Sequence, residues 1–142
     1  MAAMKNDCIF CAIAAGEIPA FKIYEDAAVV AFLDINPFSR GHALVVPKEH
    51  CATLFDAPEE LLASMLPRVR KVAARLKEAL PCDGVNILQN NGAAAGQSVG
   101  HLHFHIVPRM APPEGEAARI SFAPGKADME ELKALAQRLS FQ

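Results

Sequence analysis

The chain has 142 residues, of which 52% are apolar and 21% charged, and its formal net charge is −2. This composition is typical of one folded domain with a sizeable core, and it argues against a largely disordered chain. The small charge gives no general electrostatic reason to bind nucleic acid or a membrane surface, and no apolar run approaches the roughly 18 residues that span a bilayer. We therefore expect a cytoplasmic protein whose four cysteines are reduced thiols or metal ligands.

The first third of the chain predicts one helix and three strands. A short helix through CIFCAIAAG is predicted to be capped by Asp7 and closed by Gly16, residue types that favour those positions. Two strands follow in FKIYED and AAVVAFLD, around a tight turn. HALVVPK forms the third strand.

A long helix is predicted through DAPEELLASMLPRVRKVAARLKEAL. Asp56 and Glu59 stand at the spacing of a capping box. Pro67 is expected to kink the helix. Six apolar residues fall on one helical stripe, which is the face expected to be covered: Leu62, Met65, Val69, Val72, Leu76 and Leu80.

The last elements are two strands, VNILQN and HLHFHIVPR, and an amphipathic helix in DMEELKALAQRLS. The order β-β-β-α-β-β predicts an α+β domain with a five-stranded, mostly antiparallel sheet and helices packed on one of its faces. No repeat or linker divides the chain. Residues 1–142 are therefore predicted to form one domain, with a core at about 8–110 and a helical tail at about 127–140.

Three of the five histidines stand at every second position of HLHFH. On a strand, alternate side chains share a face, so His101, His103 and His105 would line one solvent-facing, chemically active side. Neutral imidazoles can bind metal, act as general acid or base, or attack an electrophile. The preceding loop, GAAAGQS, offers backbone N–H groups to a phosphate. Together the two features favour phosphorus chemistry.

Cys8 and Cys11 form a Cys-x-x-Cys pair on the predicted first helix. In a cytosolic protein this spacing indicates either a redox pair or half of a metal site. A thioredoxin-like redox pair lacks its usual βαβ context here. A tetrahedral zinc site needs two further ligands, and His50 and His101 are available. The other two cysteines have no partner at useful spacing and are predicted to be ordinary small residues.

Five segments of the sequence resemble, in order and spacing, the Hint branch of the histidine triad (HIT) family of nucleotide hydrolases and transferases: CIFCAIAAGEIPA, IYED, AFLDINPFSRGHALVVPKEH, NNGAAAGQSVG and HLHFHIVPR. They extend from residue 8 to about residue 109. The resemblance implies a HIT-like fold and an enzyme that cleaves nucleoside phosphoramidates or related nucleotidyl bonds of a purine nucleotide. The product would be a nucleoside monophosphate such as AMP.

The resemblance also implies roles for single residues. His103 would attack the α-phosphorus and form a covalent nucleotidyl-histidine that water hydrolyses, while its other ring nitrogen donates to a backbone carbonyl. His105 would contact the phosphate, and His42 would support it from behind. The remaining implied contacts are Ser98 near the leaving group, Gly96 and Gln97 along the phosphate, Asp34 at the ribose hydroxyls, Ile35 against the sugar or base, and Asn90 at the phosphate or ribose.

Several alternatives stay open at this point. Taken singly, three residues also have ordinary structural explanations: Asp34 in the turn at Asn36, Asn90 in the turn with Gly92, and Ile35 in packing. The activity could instead be dinucleoside polyphosphate hydrolysis, or the protein could be a nucleotide-binding regulator or scaffold with little turnover.

The resemblance implies two further features of the protein. One is a structural zinc ion on Cys8, Cys11, His50 and His101. The other is a homodimer formed through the long helix and an edge strand, which agrees with a helical stripe that is too apolar for a solvated surface.

Overall fold

A computed structural model describes residues 7–115 and 125–141 of the chain. The strands are β1 Lys22–Glu25, β2 Val29–Leu33, β3 Ala43–Pro47, β4 Gly84–Leu88 and β5 Phe104–Arg109. The helices are α1 Ile9–Ala14, α2 Glu59–Ala79 and α3 Met129–Leu139, with a 3₁₀ turn at Ala93–Ala95. The strands form one antiparallel sheet in the order β1-β2-β3-β5-β4. The predicted α+β architecture is confirmed. None of the helices described is long and apolar enough to cross a membrane.

The sheet is covered on both faces, so the expectation that the helices pack on one face is wrong. One face packs against α2 through Val29, Ala31, Ala43, Val45, Ile106, Met65, Val69, Val72 and Leu76. The other face packs against α1 through Val30, Phe32, Leu44, Val46, Phe10 and Ile13. The central strands β2 and β3 are apolar without alternation, and nearly all their residues are buried. Such strands must be covered on both sides to remove their side chains from water.

The long helix α2 buries the middle of its predicted stripe and leaves the ends half-buried. It continues through Pro67 without a break. The predicted capping box is wrong, because the N-cap is Pro58 and no side chain caps the helix. Asp56 instead accepts hydrogen bonds from the backbone N–H groups of Ala52 and Thr53, at 3.0 and 2.8 Å. It stabilises the turn before the helix rather than the helix itself.

The two terminal helices differ in how they are held. The N-cap of α1 is Cys8 rather than the predicted Asp7, and its Sγ accepts from the Cys11 N–H at 3.4 Å. Asp128 caps α3 by accepting from the N–H groups of Glu130 and Glu131. All residues of α3 are exposed, so its apolar face has no packing partner among the residues described.

The histidine segment departs from the predicted strand. β5 begins at Phe104, so His101 and His103 lie before the strand and only His105 lies in it. The pairing of β3 with β5 likewise starts at Phe104. The three histidines are also not solvent-facing, because they are only 0%, 3% and 9% exposed. Phe10 of α1 packs edge-on against the rings of His101 and His103, with centroids 5.8 and 5.1 Å apart.

Gly41, between β2 and β3, provides a test of the close packing beside Leu80, the residue that follows α2. Gly41 has a φ of +91°, and a Cβ there would clash with the Leu80 side chain. We expect Gly41→Ala to lower the free energy of unfolding by about 1–3 kcal/mol, because left-handed backbone strains an L side chain. Gly84→Ala is the matched control, since a Cβ on that glycine meets open space. Urea unfolding should show no comparable loss for the control, and equal losses for both variants would contradict the assignment.

Candidate active site and metal centre

A cavity of about 430 Å³ opens on the α1 side of the sheet. Its walls come from α1, the end of β2, the loop after β4 and the histidine segment. The residues predicted for the site that line it are Asp34, Ile35, Asn90, Gly96, Ser98, His103 and His105. His42 and Gln97 are absent from this lining. The fold therefore brings residues from four separate parts of the chain to one concave surface.

The ring of His103 is held in one orientation by the backbone. Its Nδ1 lies 2.6 Å from the carbonyl oxygen of His101. A carbonyl only accepts hydrogen bonds, so Nδ1 carries the proton and Nε2 keeps its lone pair. Burial lowers the pKa of His103, against the opposing effects of the His101 carbonyl and the Asp34 charge. His103 is therefore a neutral imidazole with a nucleophilic nitrogen.

His105 has the opposite tautomer, fixed by a chain of hydrogen bonds from outside the cavity. The N–H of Phe38 donates to Nδ1 of His42 at 3.0 Å. Nε2 of His42 must then carry a proton, and it donates to Nδ1 of His105 at 3.0 Å. His105 consequently keeps its own proton on Nε2. Two neighbouring rings thus provide a lone pair and a donor respectively.

Both supporting rings are kept neutral. Burial lowers the pKa of His105 to about 4, helped by the nearby rings of His103 and His42. Burial also lowers the pKa of His42, although the Asp34 carboxylate opposes this. The Asp34 carboxylate lies 3.7 Å from Nε2 of His42. It also accepts from the N–H of Asn36 at 2.8 Å, so the turn-capping explanation of Asp34 describes part of what it does.

The glycine-rich loop is held in shape by Gln97. Its Oε1 accepts from the Gly92 N–H at 2.7 Å, and its Nε2 donates to the carbonyls of Ala52 and Val99 at 2.7 and 3.0 Å. The amide is therefore engaged within the loop rather than directed at the cavity. Gly96, in left-handed backbone, and Ser98 are the loop residues that line the cavity.

Sequence reasoning missed the phenylalanines that line the cavity, two of which, Phe10 and Phe38, contact histidines of the site. Phe10 lines the cavity and contacts both His101 and His103. Phe38 stacks on His105 at an interplanar angle of 14° and lies 4.7 Å from the His42 ring. The position of Phe10 between the two cysteines was an available signal, because a helix that brings Cys8 and Cys11 to His101 also brings Phe10 there. Phe38 carries no comparable signal.

A second cluster lies beside the cavity. The Sγ atoms of Cys8 and Cys11 and the Nδ1 atoms of His50 and His101 all lie within 4.8 Å of one another. Separations between individual pairs are 3.3 Å for Cys8–His101, 3.3 Å for Cys11–His50, 3.6 Å for Cys11–His101 and 3.1 Å for His50–His101. A tetrahedral zinc site with ordinary Zn–S and Zn–N lengths has edges of about 3.3–3.8 Å. The four side chains predicted to bind metal therefore come together and could bind a metal ion.

The tautomer of His101 suits it to this role. Its Nε2 donates to the carbonyl of Pro47 at 2.8 Å, which leaves the lone pair on Nδ1 facing the cysteines. A backbone carbonyl is a common partner for the second nitrogen of a metal-binding histidine. Burial lowers the pKa of His101 to about 4, so the ring is neutral as a ligand must be.

Comparison with known proteins identifies the family. The HIT domain family model matches residues 15–111. Adenosine 5'-monophosphoramidase hnt1 of Schizosaccharomyces pombe is 44% identical over 133 residues, which cover 94% of this chain and 96% of that protein. A crystal structure from Streptococcus mutans superposes with a TM-score of 0.89 at 41% identity, covering 98% of this chain and 87% of the other. A Zn-bound histidine triad family protein from Mycobacterium smegmatis gives a TM-score of 0.73 at 42% identity, covering 93% and 95% of the two chains. The chain belongs to the HIT domain family.

The depressed histidine pKa values predict how stability depends on pH. The unfolded chain takes up protons near the ordinary pKa of 6.5, whereas folded His105 does so only near about 4. The free energy of unfolding should therefore fall as the pH drops through this window. NMR titration of the ring protons should give a pKa below the ordinary value for His42 and His105. His105→Gln should flatten the pH dependence, and a pKa of 6.5 or above for His105 in the wild type would contradict the geometry.

Proposed function

We propose that this HIT-domain protein hydrolyses nucleoside phosphoramidates or related nucleotidyl bonds and releases a nucleoside monophosphate such as AMP. The observation that carries the proposal is the hydrogen bond from Nδ1 of His103 to the carbonyl of His101, which leaves Nε2 as the nucleophile at a cavity wall. The name of the Schizosaccharomyces pombe relative supports adenosine phosphoramidates as the substrate class.

The proposed reaction has two steps. In the first, Nε2 of His103 attacks the α-phosphorus, the bond from phosphorus to the leaving amine breaks, and the amine departs with the electron pair and with a proton supplied by solvent. Ser98, on the cavity wall, is proposed to lie at the leaving group and donate to it. In the second step, water attacks the phosphorus of nucleotidyl-His103, the bond from phosphorus to Nε2 breaks and returns its electron pair to the histidine, and the water releases a proton to solvent as the monophosphate forms.

The residues around the nucleophile match the charges that develop in this reaction. The Nε2–H of His105 is proposed to donate to a phosphoryl oxygen, and this bond strengthens as negative charge accumulates there. Asp34, at the cavity wall, offers acceptor oxygens to the ribose hydroxyls. Gly96 and Asn90, which also line the cavity, are proposed to contact the phosphate and the ribose.

The rest of the cavity suits a purine base. Its lining includes Phe10, Ile13, Phe32 and Leu44, which are apolar and buried. Ile35 is 77% exposed at the same cavity. A flat heterocycle between these side chains would remove Ile35 from water, and binding sites for small molecules are commonly apolar with a few directed polar groups.

The nucleophile assignment predicts a covalent intermediate. Enzyme quenched with alkali during turnover of an adenosine phosphoramidate should carry a nucleotidyl group on His103, because phosphorus–imidazole bonds survive base and are labile to acid. His103→Ala should abolish the adduct and lower kcat by about 10³-fold or more, as expected when a nucleophile is removed. Cys82→Ser serves as the control, because Cys82 does not line this cavity.

Mass spectrometry of the quenched enzyme decides this assignment. A nucleotidyl group mapped to His101 or His105, or near-normal turnover by His103→Ala, would overturn it. Binding without turnover by the wild type would favour a regulator or scaffold, and turnover confined to dinucleoside polyphosphates would favour that alternative substrate class.

We also propose that the four-residue cluster binds a structural zinc ion and that the protein works in the cytoplasm, where free thiols persist. Cys8, Cys11, His50 and His101 supply two thiolates and two neutral imidazoles, a ligand set that zinc prefers. The Zn-bound relative from Mycobacterium smegmatis supports the choice of metal.

Elemental analysis tests the zinc proposal. Protein purified without chelators should contain about one zinc per chain, in keeping with a single closed site. Cys8→Ser combined with Cys11→Ser should lose the metal and lower Tm. Cys51→Ala is the matched control, because Cys51 is buried, lies outside the cluster and has its pKa raised to about 11 mainly by burial. Metal-free wild type, or metal loss in the control, would contradict the assignment.

The surface formed by α2 and β4 supports a homodimer. Leu66 and Ile87 are 60% and 42% exposed, and they line a shallow, mainly apolar depression together with Val69, Ala73 and Val85. β4 is an edge strand of the sheet, and an unpaired edge is commonly protected by a partner. We propose that a second copy covers this surface.

Light scattering tests the dimer. The wild type should have the mass of two chains at micromolar concentration, and Leu66→Lys should shift it toward one chain because it places a charge in the interface. Phe55→Lys is the matched control, since Phe55 is 86% exposed and lies outside this surface. A wild-type monomer, or dissociation by the control alone, would refute the proposal.

A further inference from the structure

His101 contributes its ring to the metal cluster and its backbone carbonyl to the hydrogen bond that orients His103. Its Nδ1 lies among the metal-binding atoms, 3.3 Å from Sγ of Cys8. Its backbone carbonyl, in turn, accepts the proton from Nδ1 of His103 at 2.6 Å. One residue therefore connects the metal cluster directly to the proposed nucleophile.

The direction of that carbonyl is not set by the sheet. Pairing between β3 and β5 begins at Phe104, after the histidine in question. Two hydrogen bonds tie the buried segment before Phe104 to residues 47–51: Leu102 N–H donates to the Cys51 carbonyl at 2.8 Å, and Nε2 of His101 donates to the Pro47 carbonyl at 2.8 Å. The remaining polar contacts of the His101 ring go to the cluster.

Helix α1 adds a second connection between the same two places. It carries Cys8 at its N-cap and Cys11 in its first turn. Between them, Phe10 packs edge-on against the rings of both His101 and His103. The helix that carries both cysteines therefore also carries Phe10, which packs on the core of the sheet and against the ring of His103.

We propose that the metal cluster is a positioning device for the nucleophile: a bound cation fixes the His101 carbonyl and Phe10, and these two contacts hold His103 in its Nδ1–H tautomer. His101 is then a positioning residue in addition to a metal ligand. This inference rests on the proposed function only for its kinetic consequence, because the tautomer of His103 is a property of the protein without substrate.

A metal that only stabilised the fold would behave differently. Its removal would lower Tm, but at temperatures where the protein stays folded it would leave the His103 tautomer and kcat unchanged. A positioning metal changes both, and its main kinetic effect falls on kcat, because Asp34, Phe32 and Leu44, which would bind the nucleoside, lie outside both the cluster and α1.

The experiment compares Zn²⁺-loaded protein, chelator-treated protein and Cys8→Ser combined with Cys11→Ser. Two-bond ¹⁵N–¹H NMR spectra of the imidazoles report the tautomer, and steady-state kinetics separate kcat from KM. Loaded protein should show the Nδ1–H tautomer alone, and the two metal-free forms should show a mixture. Their kcat should fall roughly 10- to 100-fold, the usual cost of losing a group that orients a reacting residue. KM should stay within about twofold, because the metal-free forms retain the contacts that Asp34, Phe32 and Leu44 would make with the nucleoside.

Val72→Ala is the matched control for stability. Val72 lies on α2 and is buried against the face of the sheet that α2 covers, whereas the metal cluster lies on the opposite, α1 side. The variant should lower Tm while keeping the metal, the tautomer and kcat. A change of tautomer in this control comparable to that in the metal-free forms would overturn the proposal.

Cys8→Ser alone keeps the test decisive if metal-free protein does not fold. Its three remaining ligands should bind Zn²⁺ more weakly, so the Nδ1–H fraction and kcat should rise together with Zn²⁺ occupancy. An unchanged tautomer across that titration, or in folded metal-free protein, would overturn the positioning role. Absence of any nucleotidyl-His103 in loaded wild type would instead refute the proposed function and leave the tautomer result to decide this inference.

Discussion

The hydrogen bond between Nδ1 of His103 and the carbonyl of His101 is the interaction on which the site depends. An imidazole can present only one lone pair in its neutral form, and this bond decides that Nε2 presents it. The sheet contributes by starting β5 at Phe104, which leaves the preceding residues free to turn a carbonyl toward a side chain two positions later. If β5 began at His101 instead, the His101 carbonyl would form a hydrogen bond with a neighbouring strand and would not be available to His103.

The cover on the α1 side of the sheet explains why the rings remain neutral. Phe10 and the surrounding apolar residues remove His103 and His105 from water, and burial is the largest cause of the lowered pKa of each. Neutrality alone would not distinguish the two rings. The hydrogen bonds from the Phe38 N–H through His42 give His105 a proton on Nε2, so adjacent imidazoles present a lone pair and an N–H donor at the same pH. The packing that stabilises the fold therefore also prepares the chemistry.

Sequence reasoning predicts the elements and the members of the site better than their local geometry. The every-second-residue spacing in HLHFH places the histidines near one another, yet it does not reveal that β5 begins three residues later than the first of them. In β2 and β3, apolar residues do not alternate with polar ones, so the sequence does not show that both faces of the sheet are covered or which helix covers each face. Asp56 has the spacing of a cap, but it binds two N–H groups that lie before it in the chain. Gln97 likewise stabilises its loop through the carbonyl of Ala52, a contact 45 residues away in the chain. The Gln97 contact is tertiary, whereas the Asp56 contact is local but runs backward to Ala52 and Thr53, and the spacing of a motif indicates neither.

A crystal structure of the protein with AMP bound tests the central claim most directly, because it locates phosphorus relative to each ring nitrogen. The account predicts phosphorus about 3–3.5 Å from Nε2 of His103, the separation of a near-attack geometry, with a phosphoryl oxygen near Nε2 of His105 and the ribose hydroxyls on Asp34. A phosphate bound elsewhere in the cavity, or Nδ1 of His103 released from the His101 carbonyl to face it, would contradict the account.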